Sequence, residues 1–471
     1  MFESAIGFLN QILWGHLLVY VLVGAGLFFT LKTGFIQLRH FSHGVAVLKN
    51  SQVSNHGLSS FQVFCTSMAA RVGTGNMAGV AMAVVAGGPG AVFWMWVIAI
   101  LGMATSMIES TLAQIYKEQD TEGQFRGGPA HYMTEGLGQK WMGVLFSILL
   151  IIAFGLVFNA VQANTIASAL NSAYGYDQTT VGIILVIASG IVIAGGLQLV
   201  ARVTTYLVPI MALSYISVAL IVIFLNIEQL PEVLALVVNS AFGWQEAAAG
   251  GLGYTVSQAM QSGIARGLFS NEAGMGSAAN VAASAHANPN HPASQGFVQM
   301  IGVFVDTIVI CSATAGIILL GGGLENPDNL SGIALTGQAL SGQLGDWSYT
   351  FLSICILLFC FTSIIANYSY AESNILFLSN NNTKALLPYR VAVLVMVMFG
   401  SVAAVPLVWS LADVSMGLMA LVNIVAIVLL SNLAFKVIND YTSQLKQGKE
   451  PKFDPKQFPQ LKGHIDKSAW K

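Results

Sequence analysis

Charge is scarce in this chain of 471 residues: Asp, Glu, Lys and Arg make up 8% of it, against about 25% in soluble domains. With 55% hydrophobic residues, so few charges cannot cover a water-exposed surface, and the composition implies a lipid bilayer as solvent. The formal net charge of -2 offers no attraction to nucleic acid. Cysteine is scarce as well. Cys65, Cys311, Cys355 and Cys360 lie in apolar segments without metal-site spacing and read as small packing residues. The eight histidines show no metal spacing either. Neither a P-loop nor a nucleophile elbow is present, so nothing points to ATP hydrolysis or covalent catalysis, and no enzyme chemistry is expected. No run suggests a soluble domain before residue 431. The first apolar segment, 12–31, lacks a basic leader and a clear cleavage site, and is expected to be a retained helix.

What is present is a series of apolar runs long enough to span. At roughly 20 residues per crossing, helices are expected near 12–31, 60–86, 90–116, 141–169, 179–196, 203–225, 247–285, 295–320, 347–378, 388–405 and 408–431. The fold class is therefore an all-α polytopic membrane protein of about eleven helices. Placing the lysine-rich C-terminus (Lys436, Lys446, Lys449, Lys452, Lys456, Lys462, Lys467, Lys471) in the cytoplasm puts the N-terminus outside. Lys32, Arg39, Lys49, Lys117, Arg126 and Lys140 then fall in inner loops, and Arg202, Lys384 and Arg390 at inner helix ends. The outer loops receive Asp177, Glu228, Glu232, Glu246, Glu325, Asp328 and Asp346 and no basic residue. Only Arg71 and Arg266 remain, and both lie inside apolar segments.

Those two segments are broken. Ala69 to Gly79 and Arg266 to Asn280 cluster glycines and small polar residues at corresponding places in the two halves. Such a pair points to a transporter's binding site, because non-helical backbone at membrane depth must be buried in protein or line a polar cavity. Before the first, Phe35, Leu38, Phe41, Val45 and Leu48 form an amphipathic stripe; Val233, Leu234, Val237, Val238 and Phe242 do so before the second. Each half reads as amphipathic helix, broken helix and four continuous helices, which inverts the second half relative to the first. The domains are expected as a peripheral N-terminal helix over 1–34, repeats over 35–226 and 227–431, and a mobile cytoplasmic tail over 432–471.

The polar residues in these segments allow more than one chemistry. Glycines around Val72-Gly73-Thr74-Gly75-Asn76 either let helices pack closely or unwind backbone to offer carbonyls to a cation and amides to a carboxylate. Glu272, beside Ser270 and Asn271, is either a coupling carboxylate or the ion-pair partner of Arg71 or Arg266 at a gate. Phe158 and Gln162, one turn apart, suit a small zwitterion, although interhelical hydrogen bonding explains amides such as Asn159 and Asn164 equally. Thr362 and Ser363 either bond their own helix or donate oxygens to sodium. Glu109, Asp306 and Asp413 are single acids that either titrate or make helix contacts.

Several stretches resemble the bacterial alanine/glycine:cation symporter family. They are Ala-Ala-Arg-Val-Gly-Thr-Gly-Asn at 69–76, Gly-Gly-Pro-Gly-Ala-Val-Phe-Trp-Met-Trp at 87–96 and Phe-Arg-Gly-Gly-Pro-Ala at 125–130. Asn-Ala-Val-Gln-Ala-Asn at 159–164 and Arg-Gly-Leu-Phe-Ser-Asn-Glu-Ala-Gly-Met-Gly-Ser-Ala at 266–278 complete the set. The resemblance implies a LeuT-like fold of ten helices in two inverted repeats plus one, in a bacterial inner membrane, with sodium-coupled import of a small neutral amino acid. It implies a sodium site from backbone near Ala69 and Val72 with Thr362 and Ser363. It places Gly73, Thr74, Gly75 and Asn76 at the substrate carboxylate or a second cation, walled by Phe158, Gln162, Leu268, Phe269 and Ser270. Many members carry Gly-Trp after the hydroxyls where this chain has Ala366-Asn367. An amide there widens the pocket and adds a donor and an acceptor, so glutamine joins alanine and glycine as an expected substrate. Coupling to protons through Glu272 or another acid is the alternative within transport; a passive channel or a sensor is the alternative outside it.

Overall fold

Ser59 and Gln62 start the first broken helix with a reciprocal cap: the Ser59 side chain accepts from Gln62 N (3.2 Å) and Gln62 Oε1 accepts from Ser59 N (3.0 Å). Helical order then runs over Ser60–Arg71 (α3) and resumes at Gly75–Gly87 (α4), bent by 50° at the break. The computed structural model describes residues 2–52, 57–120, 123–243, 256–325, 330–461 and 464–470. Glu246, Asp328, Lys462, Lys471 and the 247–255 portion of the expected seventh helix lie outside the described residues.

Ahead of α3 come Ile6–Lys32 (α1) and the short Phe41–Lys49 (α2). After α4 follow Gly90–Ile115 (α5), a two-stranded hairpin of Glu118–Gln119 (β1) and Phe125–Arg126 (β2), and Lys140–Tyr174 (α6). Gln178–Ala194 (α7) and Gly196–Leu225 (α8) complete the first half, and Leu230–Ala241 (α9) opens the second. The second broken helix is Val256–Asn271 (α10) and Ser277–Ala283 (α11). Pro292–Leu320 (α12), Ile333–Leu344 (α13), Trp347–Leu378 (α14), Thr383–Val402 (α15), Val405–Leu429 (α16) and Ser431–Lys446 (α17) close the series. Among the described residues, eight helices are long and apolar enough to cross a membrane, or nine with the bent pair. α7, at 17 residues, is shorter than those spanning helices, and the described part of the α10–α11 pair covers the expected seventh helix from residue 256. Rows of apolar side chains such as Ile187, Ile191, Ile210, Leu213 and Phe224 are exposed, as lipid-facing residues must be.

The structure departs from the sequence reading at three places. Phe35 adopts φ 57°, so the first amphipathic stripe is not one helix. Phe35, Leu38 and Val45 are exposed while Ile36, Gln37, Gly44 and Val47 are buried, so only Phe41 and Leu48 of the stripe pack against the core. Helix α13 was not foreseen, being too short to span; its Thr336 hydroxyl donates to Met77 O (3.3 Å), covering α4. The tail is not a loose extension. α17 buries Leu433, Val437, Ile438 and Tyr441, and Phe453, Phe458, Leu461 and Trp470 are buried beyond it. These aromatics are spread among lysines, which masks the pattern in the sequence.

The two breaks meet. A Cβ on Gly75 would lie 3.0 Å from the Phe269 ring and 3.2 Å from Ser270 Cα. At the tail-bearing end the start of α3 and the segment after α11 are joined by a parallel bridge, with Leu58 N donating to Ser284 O (3.0 Å) and His286 N to Leu58 O (2.8 Å).

Candidate transport site

The first break frees two carbonyls. In a continuous helix Ala69 O would accept from Gly73 N, and Val72 O from Asn76 N. Here Gly73 N donates to Asn76 Oδ1 (3.0 Å) and Asn76 N to Gly73 O (3.3 Å). The Ser363 hydroxyl reaches both freed oxygens, at 2.8 Å from Ala69 O and 3.4 Å from Val72 O, and lies 2.9 Å from Phe359 O. Thr362 Oγ1 also bonds Phe359 O (2.9 Å) but leans toward Met211 Sδ (3.7 Å). The result is a buried cluster of uncharged oxygens at a helix break, an arrangement that suits a monovalent cation. Phe359 is the member that the sequence did not suggest, since a backbone carbonyl leaves no trace in residue type.

On the other side of Gly73, Thr74 N donates to Gln162 Oε1 (3.0 Å), and Thr74 Oγ1 lies 3.2 Å from Cys360 Sγ. Phe158 and Gln162 do share one face, and the Phe158 ring stacks on Phe269 at 4.6 Å. Asn367 sits one turn beyond Ser363 on α14, fully buried, and neither atom of its amide has a hydrogen-bond partner among the described residues. An unpaired buried amide costs about 1–3 kcal/mol, which a polar ligand would relieve. Leu268 is buried, and its carbonyl accepts from Glu272 N (2.9 Å) in the last turn of α10.

Asn76 and Ser270 have a different attachment from the one expected. Asn76 Nδ2 donates to Asp306 Oδ1 (2.7 Å), and Ser270 Oγ to Asp306 Oδ2 (2.6 Å), with Thr307 Oγ1 on the same oxygen (2.8 Å). Asp306 thus ties both broken helices to α12. Their spacing in the chain gave no hint of this, because the contact joins three separate helices.

Ion pairing is also redistributed. Glu272 forms no salt bridge among the described residues; its Oε2 accepts from Ser277 Oγ (2.7 Å). Its φ of 58° at the break turns the side chain toward α11. Arg266 pairs with Asp413 at 2.5 Å and lies 4.9 Å above the Trp409 ring. Arg71 is buried and makes long bonds to Gln299 O and Ser106 Oγ, both 3.4 Å. Glu109 accepts from Gly274 N (3.3 Å), Gly276 N (3.1 Å) and Asn423 Nδ2 (2.9 Å), filling the N-terminal end of α11. Gly274 and Gly276, at φ 88° and 77°, supply the left-handed turns that aim those amides. Phe154, Phe158, Phe269 and Trp409 form a ladder with centroids 4.5, 4.6 and 4.9 Å apart, capped by the Arg266 pair. Trp409 had a readable signal: it lies one helical turn before the intramembrane acid Asp413.

The model of the sodium:alanine symporter family matches residues 1–455. The chain belongs to that family. The family makes it a transporter, an integral membrane amino-acid carrier with cation cotransport, and not an enzyme. The "Probable sodium/glutamine symporter GlnT" of Bacillus subtilis is 51% identical over 96% of this chain and 93% of its own. The "Sodium/alanine symporter AgcS" of Methanococcus maripaludis is 36% identical over 92% and 95%. A solved manganese transporter from Eremococcus coleocola, 15% identical, superposes with a TM-score of 0.52 over 84% of this chain and 81% of that one. That likeness concerns the fold alone, and with the broken-helix pair it makes this symporter LeuT-like.

Proposed function

We propose that this symporter couples sodium to the import of alanine, glycine or glutamine by alternating access, with its N-terminus outside and C-terminus in the cytoplasm of a bacterial inner membrane. The observation that carries the reading is the convergence of Ser363 Oγ on the freed carbonyls of Ala69 and Val72. Sodium replaces the hydroxyl proton as the partner of those carbonyls, with Thr362 and Phe359 O beside it. The amino acid lies across Gly73, Thr74 and Gly75, its carboxylate toward their amides, displacing Gln162 Oε1 from Thr74 N. Phe158, Phe269 and Leu268 wall the pocket, and Asn367 meets the side chain. Asn76 and Ser270 hold the two breaks in register through Asp306. Arg266 gates the side opposite the tail through Asp413, while Arg71 and Glu272 remain within the buried inner half.

Uptake of labelled alanine, glycine and glutamine into proteoliposomes, with and without sodium, tests this. In the Ser363→Ala variant the sodium concentration for half-maximal uptake rises about tenfold, the equivalent of one or two lost ligand-grade contacts. Uptake indifferent to sodium and driven by a pH gradient would overturn sodium coupling in favour of a buried carboxylate such as Glu272. Asn367→Trp fills the widened pocket and narrows selectivity toward alanine and glycine. If glutamine still competes as well as in the parent, Asn367 does not face the substrate.

A further inference from the structure

The tail-bearing end of the bundle holds a clamp that the transport site does not use. Lys117 lies two residues beyond α5, yet it is buried. Its Nζ donates to Ala285 O (3.1 Å), the carbonyl two residues past α11. Gln114 Nε2 donates to the same oxygen (3.1 Å) and to Ala282 O (2.5 Å). Together they hold the last carbonyls of the inner half-helix, as a lysine near a helix C-terminus does well. The bridge between Leu58 and Ala285 passes that hold on to the start of α3.

The tail covers this grip. Lys117 Nζ is sandwiched 4.1 Å from the Phe125 ring centroid and 4.3 Å from that of Trp470. Trp470 rests on Phe453 at 5.0 Å, whose amide donates to Asn290 O (3.0 Å) in the segment after α11. Asp466 Oδ2 accepts from Gln119 N (2.9 Å), fastening the tail to the β1 strand. The tail therefore touches both sides of the inner seam, the junction between the end of α5 and the end of α11.

We propose that the described tail residues 453–461 and 464–470 form the inner gate of this symporter, with Trp470 holding Lys117 on the Ala285 carbonyl until the tail lifts. The proposal rests on the alternating-access reading. Lys117 and Trp470 are positioning residues: they touch no substrate, and set how often the inner seam opens. With two rings shielding Lys117 Nζ, no water competes for its bond to the carbonyl. Loss of the Trp470 ring lets water reach Lys117 and weakens the hold.

The test uses full-length protein carrying S284C, since Ser284 is buried beside the bridge and the four native cysteines are buried. Labelling by a membrane-impermeant maleimide is followed in vesicles that expose the tail. Trp470→Ala is expected to speed S284C labelling about tenfold, with Trp470→Phe near the parent rate and Lys117→Met matching Trp470→Ala. An unchanged S284C labelling rate in Trp470→Ala, in protein that remains monodisperse, would overturn the gate. If sodium and substrate fail to alter S284C labelling in the parent, the alternating-access reading fails instead. A Trp470→Ala effect in that case still shows the tail sealing the seam.

Discussion

Gly73→Ala is expected to reduce concentrative amino-acid uptake by more than about 100-fold while leaving the protein folded. A Cβ at this position would collide with Ser363 Oγ and stand 2.7 Å from Gln162 Oε1. Both neighbours belong to the proposed site, so relief comes only by moving them. Displacing Ser363 breaks its contacts to Ala69 O and Val72 O, and displacing Gln162 frees Thr74 N. Each lost hydrogen bond that strands a buried group costs about 1–3 kcal/mol, and about 3 kcal/mol in total exceeds a hundredfold in affinity. The flaw would lie at the site and not in the fold. Gly342→Ala, where an added Cβ meets nothing within 4 Å, is the matched control and should transport as the parent does. Normal uptake by Gly73→Ala would remove Gly73 from the binding site.

Gly400→Ala is expected to act on the fold. At this crossing of α6 and α15 a Cβ would run into Ala160 O, with Ala160 Cα at 2.5 Å and its carbonyl carbon at 2.7 Å. Backbone cannot swing aside as a side chain can, so the helices must separate. Separation also strains the Asn164 amide, which donates to Gly400 O and Ala403 O at 2.8 Å each. Overpacking typically costs about 1–3 kcal/mol, and the amide bonds add to that. The expected result is a melting midpoint in detergent lower by roughly 5 °C, with less monodisperse protein recovered. A parent-like midpoint would show that the two helices are not in backbone contact at Gly400.

The helical spans were legible because hydropathy over 20 residues is a local property, and the breaks were legible because glycine clusters mark them. Segment 60–86 became α3 and α4 with the turn at Val72 to Thr74, where the motif put it. Ser363 was legible as a hydroxyl in an apolar helix, but its meeting with Ala69 and Val72 came only from the resemblance. Arg266 stood out as an intramembrane charge, with Glu272, six residues away, open as either its partner or a coupling carboxylate; the structure pairs it with Asp413, 147 residues away. Asp306 looked like an isolated acid until its bonds to Asn76 and Ser270 placed it between both breaks.

By itself the sequence determined the order of the apolar spans, the positions of the two breaks and the family, since each depends on residues near one another in the chain. Only the tertiary structure decided which buried charges pair, which carbonyls the breaks release, and that the tail folds onto Lys117. These depend on distances between helices far apart in sequence. Inside a protein an unpaired charge or amide is so costly that partner choice follows three-dimensional proximity, which no local pattern encodes.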